Sequence, residues 1–103
     1  MDFLDVPGAS GAIYRFRHAR LAELPATAGN VVVVAGTPAR PRYLACGAAR
    51  GLSAAAPALK ALLGEARGAR LYIRLNVARE VRAAEHADIV AAVAPEADLP
   101  DLD

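Results

Sequence analysis

Four consecutive valines, Val31, Val32, Val33 and Val34, constrain this chain more than any other feature. A β-branched run is stiff at χ1 and gains little from a helix, and without polar residues at alternate positions it has no face to offer water. It is expected to form a strand covered on both sides. The turn-forming segment GTPARP (residues 36–41) follows, and then RYLAC (residues 42–46). That order implies an antiparallel hairpin with a loop of about four to six residues. Two other stretches alternate with period two. Residues 12–17 place Ala12, Tyr14 and Phe16 against Ile13, Arg15 and Arg17, and residues 70–75 place Leu71, Ile73 and Leu75 against Arg70, Tyr72 and Arg74.

Helical signals fill the gaps. Residues 52–66 carry an inner stripe of Leu59, Leu62 and Leu63, with Ser53 as N-cap, Pro57 in the first turn and Gly68 as the stop. Asn76 is expected to cap a last helix that runs to about Val93 and ends before Pro95. A brief helical stretch around Leu21 and Leu24 breaks at Pro25, and residues 1–10 read as a lead-in. The sum is an α+β fold: a small antiparallel sheet, three strands plus an N-terminal one, flanked by helices. One domain spans residues 1–95, and residues 96–103 form an acidic C-terminal tail expected to be mobile.

Composition narrows the function classes. With 55% hydrophobic and 22% charged residues in 103, a packed core is attainable and wholesale disorder is excluded. About a quarter of the residues are Ala and Lys60 is the only lysine, a bias that fits a GC-rich bacterial genome. No apolar run reaches the ~20 residues of a membrane-spanning helix, and the acidic N-terminus lacks the order of a signal peptide. The single cysteine, Cys46, forms no internal disulfide and reads as a core residue, so a cytoplasmic setting without membrane attachment is expected. Residues 1–95 hold 12 bases against 7 acids, a moderate excess that permits nucleic-acid binding without requiring it.

The run LPATAGNVVVV (residues 24–34), a turn, and RYLACGAARGL (residues 42–52) resemble the opening of a GIY-YIG nuclease domain. In that likeness Gly29 stands for the glycine of GIY, Gly47 for that of YIG, and Leu52 for the leucine that opens the next helix. RAAEHADIV (residues 82–90) is similar to the helix that supplies the family's metal-binding glutamate, here Glu85. The resemblance covers about 70 residues, from Leu24 to Pro95. It implies a sheet of three antiparallel strands with flanking helices, and a site built from tyrosine, arginine and glutamate. Val31 and Ala45 stand where the two tyrosines belong, Ala49 replaces a threonine, and Ala55 replaces the arginine. The string GAIYRF (residues 11–16) precedes the Pro–Gly approach and lacks a partner strand at hairpin distance, so it is not the motif.

Phosphodiester cleavage needs a base, a divalent cation and a cationic group for the developing oxyanion, and one lost donor costs ~3 kcal/mol. With base and arginine both replaced, no residue is assigned a catalytic role. Glu85 interrupts an apolar stripe between Val81 and Ile89. It is either paired with an arginine at the rim or an inherited metal position, expected to lie near Ala45 and Ala55. Arg15, Arg17, Arg42, Arg50, Arg70 and Arg74 are either ordinary solvated residues or contacts to a nucleic acid or other partner. His18 and His86 show no ligand spacing and read as surface or cap residues.

Three functions follow. The first is a catalytically inactive GIY-YIG-like module that binds nucleic acid (DNA binding included) or protein, with no cofactor. The second is a structural, self-associating protein that forms a homodimer through helix packing or a sheet edge. The third is a residual endonuclease, which alone would call for Mg²⁺.

Overall fold

The valine run occupies the middle of a sheet that both helices cover, one from each side. The structure, a computed structural model, describes residues 2–103. Its strands are β1 (Phe3–Pro7), β2 (Ile13–Ala19), β3 (Gly29–Gly36), β4 (Pro41–Ala49), β5 (Arg70–Leu75) and β6 (Ala97–Leu99). Its helices are α1 (Ala56–Leu63) and α2 (Arg79–Val93), with 3₁₀ turns at Leu21–Glu23 and Ser53–Ala55. The sheet order is β1-β2-β5-β3-β4-β6 and the sheet curls into a half-barrel. All pairings are antiparallel except β4 with β6.

Two cores share this sheet. On one face Val31, Val33, Leu71 and Ile73 pack with Leu52, Ala55 and Leu59, so α1 is their cover. On the other, Val6, Phe16, Val32, Val34, Cys46 and Tyr72 pack with Ile89 of α2. Burying a side chain such as Leu59 or Ile89 is worth roughly 1.5–3 kcal/mol, so each helix is held mainly by its stripe. Among the described residues no helix is long and apolar enough to cross a membrane.

The expected hairpin and its third strand are present: β3 pairs with β4, from Gly29↔Ala49 to Gly36↔Pro41, and with β5, from Gly29↔Leu75 to Val34↔Arg70. The α+β class holds, but the sheet has six strands rather than four. The supposed lead-in contains β1, paired with β2 from Phe3↔Arg17 to Pro7↔Ile13. Only Val6 of its five residues is buried, so an edge strand shows almost no hydrophobic pattern to read. The acidic stretch, expected to be mobile, instead supplies β6.

Local differences have local causes. The register slips between Val33 and Val34, so Leu44 is an extra residue opposite them and joins the α1-side core while Cys46 faces α2. Simple alternation would put Leu44 and Cys46 on one face. In β5, Tyr72 is buried and Leu75 is 48% exposed, because a sheet covered on both faces buries successive residues until the strand leaves its cover. Ser53 makes no side-chain cap, and α1 ends at Gly64, short of Gly68. Asn76 does not cap α2, whose N-cap is Ala78. Its amide is used elsewhere.

Candidate functional site

The positions singled out by the GIY-YIG likeness fall into two separate regions. Val31, Ala45 and Ala55 come together in the α1-side core, each 1% exposed, with Leu52 beside them. Small and branched alkyl groups line this volume: Val31, Ala45, Ala55, Leu52 and Leu59 are all buried there. Gly29 and Gly47 are buried in β3 and β4. A Cβ on Gly29 would lie 2.5 Å from the Arg74 carbonyl oxygen, so only glycine permits that strand approach.

Glu85 is on α2, across the sheet from this core, and the expectation that it lies beside Ala45 and Ala55 is corrected accordingly. Its Oε1 accepts from Arg74 Nε at 2.8 Å and from Asn76 Nδ2 at 3.1 Å. Asn76 Nδ2 also donates to Oδ1 of the buried Asn30, whose own Nδ2 donates to the Arg82 carbonyl oxygen. Arg82 folds back and gives Nη1 to the carbonyl oxygens of Asn76 and Val77. These bonds join β3, β5 and the first turn of α2, and they satisfy a carboxylate whose side chain is 16% exposed. The arginine-paired reading of Glu85 is the observed one. Among the described residues no three His, Cys, Asp or Glu side chains gather as metal ligands.

A second carboxylate, Asp88, anchors the β1–β2 turn to α2. It accepts from the Ser10 amide (2.9 Å), the Ser10 hydroxyl (2.6 Å) and the Tyr14 hydroxyl (2.7 Å). The Ser10 hydroxyl, then the Tyr14 hydroxyl, hold its carboxyl below the usual carboxylate range. Tyr14 is pushed up in turn by the same bond to Asp88. The guanidinium of Arg74 stacks 5.5 Å from the Tyr14 ring centroid.

Five of the six candidate contact arginines are engaged within the chain. Arg15 pairs with Asp5 at 3.2 Å, Arg42 grips Glu96 at 2.6 and 3.0 Å, and Arg74 holds Glu85. Arg50 donates Nη2 to the Asp103 carbonyl oxygen, and Arg70 donates Nη2 to that of Gly36. Arg17, on β2, makes no side-chain hydrogen bond or ion pair among the described residues. Arg15 and Arg74 lie together, Arg74 Nη1 reaching the Arg15 carbonyl oxygen at 3.4 Å, and three of the six, Arg15, Arg42 and Arg74, are paired with a carboxylate.

Among the described residues concave surface lies in two places: a hollow of about 520 Å³ beside Ser10, Tyr14, Glu85 and Asp88, and the space between α2 and the segment that follows it. A hollow of about 500 Å³ in that space is lined by Arg50, Arg79 and Arg82 together with Asp101 and Asp103. Ala48 and Ala83 continue its floor into a more apolar hollow of about 400 Å³ beside His86, Val90 and Pro100. His86 is 6% exposed, not a surface histidine, and its Nε2 lies 2.6 Å from Asp98 Oδ1. The signal for it was the spacing Arg82, His86, Ile89, Val93, the inward stripe of α2, buried at its first three members, two of them polar. Cys46, also buried, has its thiol pushed up to about 12 by burial first and by Asp98 second, so it stays protonated. Comparison with family models, with characterised proteins and with solved structures returns no match for this chain.

Proposed function

We propose that the chain is a GIY-YIG-like domain without catalytic activity that serves in the cytoplasm as a protein-binding module. The observation that carries this reading is the aliphatic filling of the reactive positions. Val31, Ala45 and Ala55 are sealed in core, and Glu85 is spent on Arg74 and Asn76 across the sheet. A nuclease would need those positions open to a phosphate and a cation. Protein is favoured over nucleic acid because a phosphate-tracking surface needs unpaired cations in a continuous stripe, and of the six candidate contacts Arg15, Arg42 and Arg74 are ion-paired within the chain while Arg50 and Arg70 bond to carbonyl oxygens.

Purified protein with Mg²⁺ or Mn²⁺ should leave duplex, single-stranded and branched DNA uncut, and should show no salt-sensitive retention of DNA or RNA. Turnover that follows the protein through purification and disappears in Glu85→Ala would overturn the reading. So would nucleic-acid affinity that falls steeply between 50 and 200 mM salt. Self-association is a second reading, supported by the open β1 edge, where Phe3 is 50% exposed, and by Ile13 of β2 beside it, 63% exposed; mass that rises with concentration in light scattering would favour it.

A further inference from the structure

Residues 96–103 are laid along the outer edge of β4. The Glu96 amide donates to the Tyr43 carbonyl oxygen at 3.1 Å and the Leu102 amide to that of Ala48 at 2.9 Å. Between these points Ala97, Asp98 and Leu99 pair parallel with Ala45, Cys46 and Gly47. Three of the segment's four acids meet a donor. Glu96 is gripped by Arg42, Asp98 faces His86, and Asp103 accepts from the amides of Arg50 and Gly51, both at 2.9 Å. The apolar residues between them, Ala97, Leu99 and Leu102, rest half-buried on the α1-side core. Gly47 makes the approach feasible: a Cβ there would sit 3.1 Å from Leu102 Cδ1 and 3.4 Å from the Leu99 carbonyl oxygen.

The seating is shallow. No residue from 96 to 103 is fully buried, and hollows of about 500 and 400 Å³ remain between the segment and α2. The chain enters β6 through Ala94, in the left-handed region with φ 45°, and Pro95, a sharp break rather than a packed connection. By contrast the β4 edge beneath, Leu44 to Ala49, is buried throughout and would present unpaired backbone groups if bared.

We propose that the β4 edge, with Arg42, His86 and the amides of Arg50 and Gly51, is a docking groove for an extended acidic segment of a partner protein. Residues 96–103 are its built-in occupant, displaced when the partner binds. The proposal rests on the reading of the chain as a protein-binding module and names the partner's chemistry. Strand addition of this kind draws affinity from main-chain hydrogen bonds and specificity from alternating side chains. A phosphodiester backbone offers no N–H groups to the Tyr43 and Ala48 carbonyl oxygens and no alkyl groups for the places of Leu99 and Leu102. The groove therefore takes a peptide. An internal occupant lowers a partner's apparent affinity by the fraction of time the groove stands open.

The probe is a fluorescein-labelled peptide of residues 96–103, followed by polarisation against the full chain and its full-length variant Glu96→Gln/Asp98→Asn/Asp103→Asn. The variant should bind the probe at least tenfold more tightly than the unmodified chain. N-methylation at the probe's Leu102 position, or Arg42→Glu in the variant, should remove that gain. In the unmodified chain, excess probe should accelerate hydrogen exchange of the chain's own Leu102 amide while the Val32 amide stays protected, a measurement that decides the matter should the triple variant fold poorly. Failure of the probe to bind a variant whose Leu102 amide is exposed would overturn the groove and leave the broader protein-binding reading standing. A Leu102 amide unchanged in both tests would overturn it too, since the segment would be a fixed strand. Displacement of the probe by oligothymidylate would overturn both readings, and a dimer formed by exchange of the segment between two copies would overturn the separate partner.

Discussion

A carboxylate half-withdrawn from water needs donors, and both such groups on α2 have found theirs in the chain. Glu85 uses one oxygen for Arg74 and Asn76. Glu85→Gln keeps the shape and the acceptor and loses the charge, so it should cost about 1 kcal/mol in chemical denaturation. Calorimetry should detect no Mg²⁺ binding in either form; stoichiometric binding that vanishes in the variant would return this position to the role its family likeness implies. Asp88 yields a prediction in pH. Its carboxyl is held below the ordinary range by Ser10 and Tyr14, so its contribution to stability is complete above the unfolded value of about 3.9 and is lost as pH falls through the lower folded value. Asp88→Asn removes that dependence. Melting temperatures of the two proteins should differ at pH 6 and converge in acid, and a gap that stays constant down to pH 2.5 would show the carboxylate to be uncoupled from folding.

At the scale of elements, the junction between α2 and β6 is set by Ala94, whose amide still donates to the Val90 carbonyl oxygen at 3.0 Å while its own φ has turned positive. A Cβ is unwelcome there by about 1 kcal/mol, and glycine is the usual residue at such a helix end. Ala94→Gly should therefore raise stability by up to about 1 kcal/mol in denaturant, and a clear loss would mean the side chain packs more than its geometry indicates. The same junction marks where legibility in the sequence changes. The hairpin of β3 and β4, strand β5 and both helices were readable because deep burial imposes a periodic apolar pattern. Strands β1 and β6 were not: one buries only Val6, and the other alternates Ala97 and Leu99 around an acid whose partner, His86, sits on the preceding helix. The slip at Leu44 was hidden because a bulge leaves composition unchanged. Of the candidate site, Glu85 and its arginine partner were legible in kind. Arg82 and His86 were not, since polar residues on a buried stripe look like interruptions until their partners are placed.

In the whole molecule one sheet serves as the floor of two cores, so neither helix layer has an independent support. Leu59→Ala under α1 and Ile89→Ala under α2 should each lower stability by about 2–5 kcal/mol. Each should do so within a single unfolding transition. Two separated transitions, with near-native signal from the opposite layer, would refute that coupling. The strand order carries a further consequence, for the newly made chain. Strand β2 pairs inward only with β5, joining Ala19 to Leu71 and Arg17 to Ile73, so the first hairpin has no neighbour until residues more than 50 positions later exist. The β3–β4 hairpin closes over a short turn, and its partner β5 arrives only after α1. During synthesis two local ribbons must wait side by side, and β5 is the late wedge that enters between them and zips both edges at once. For ribosomes releasing this chain, everything before residue 70 is a set of parts, and the six residues of β5 join them into one sheet whose second face still waits for Ile89 of α2.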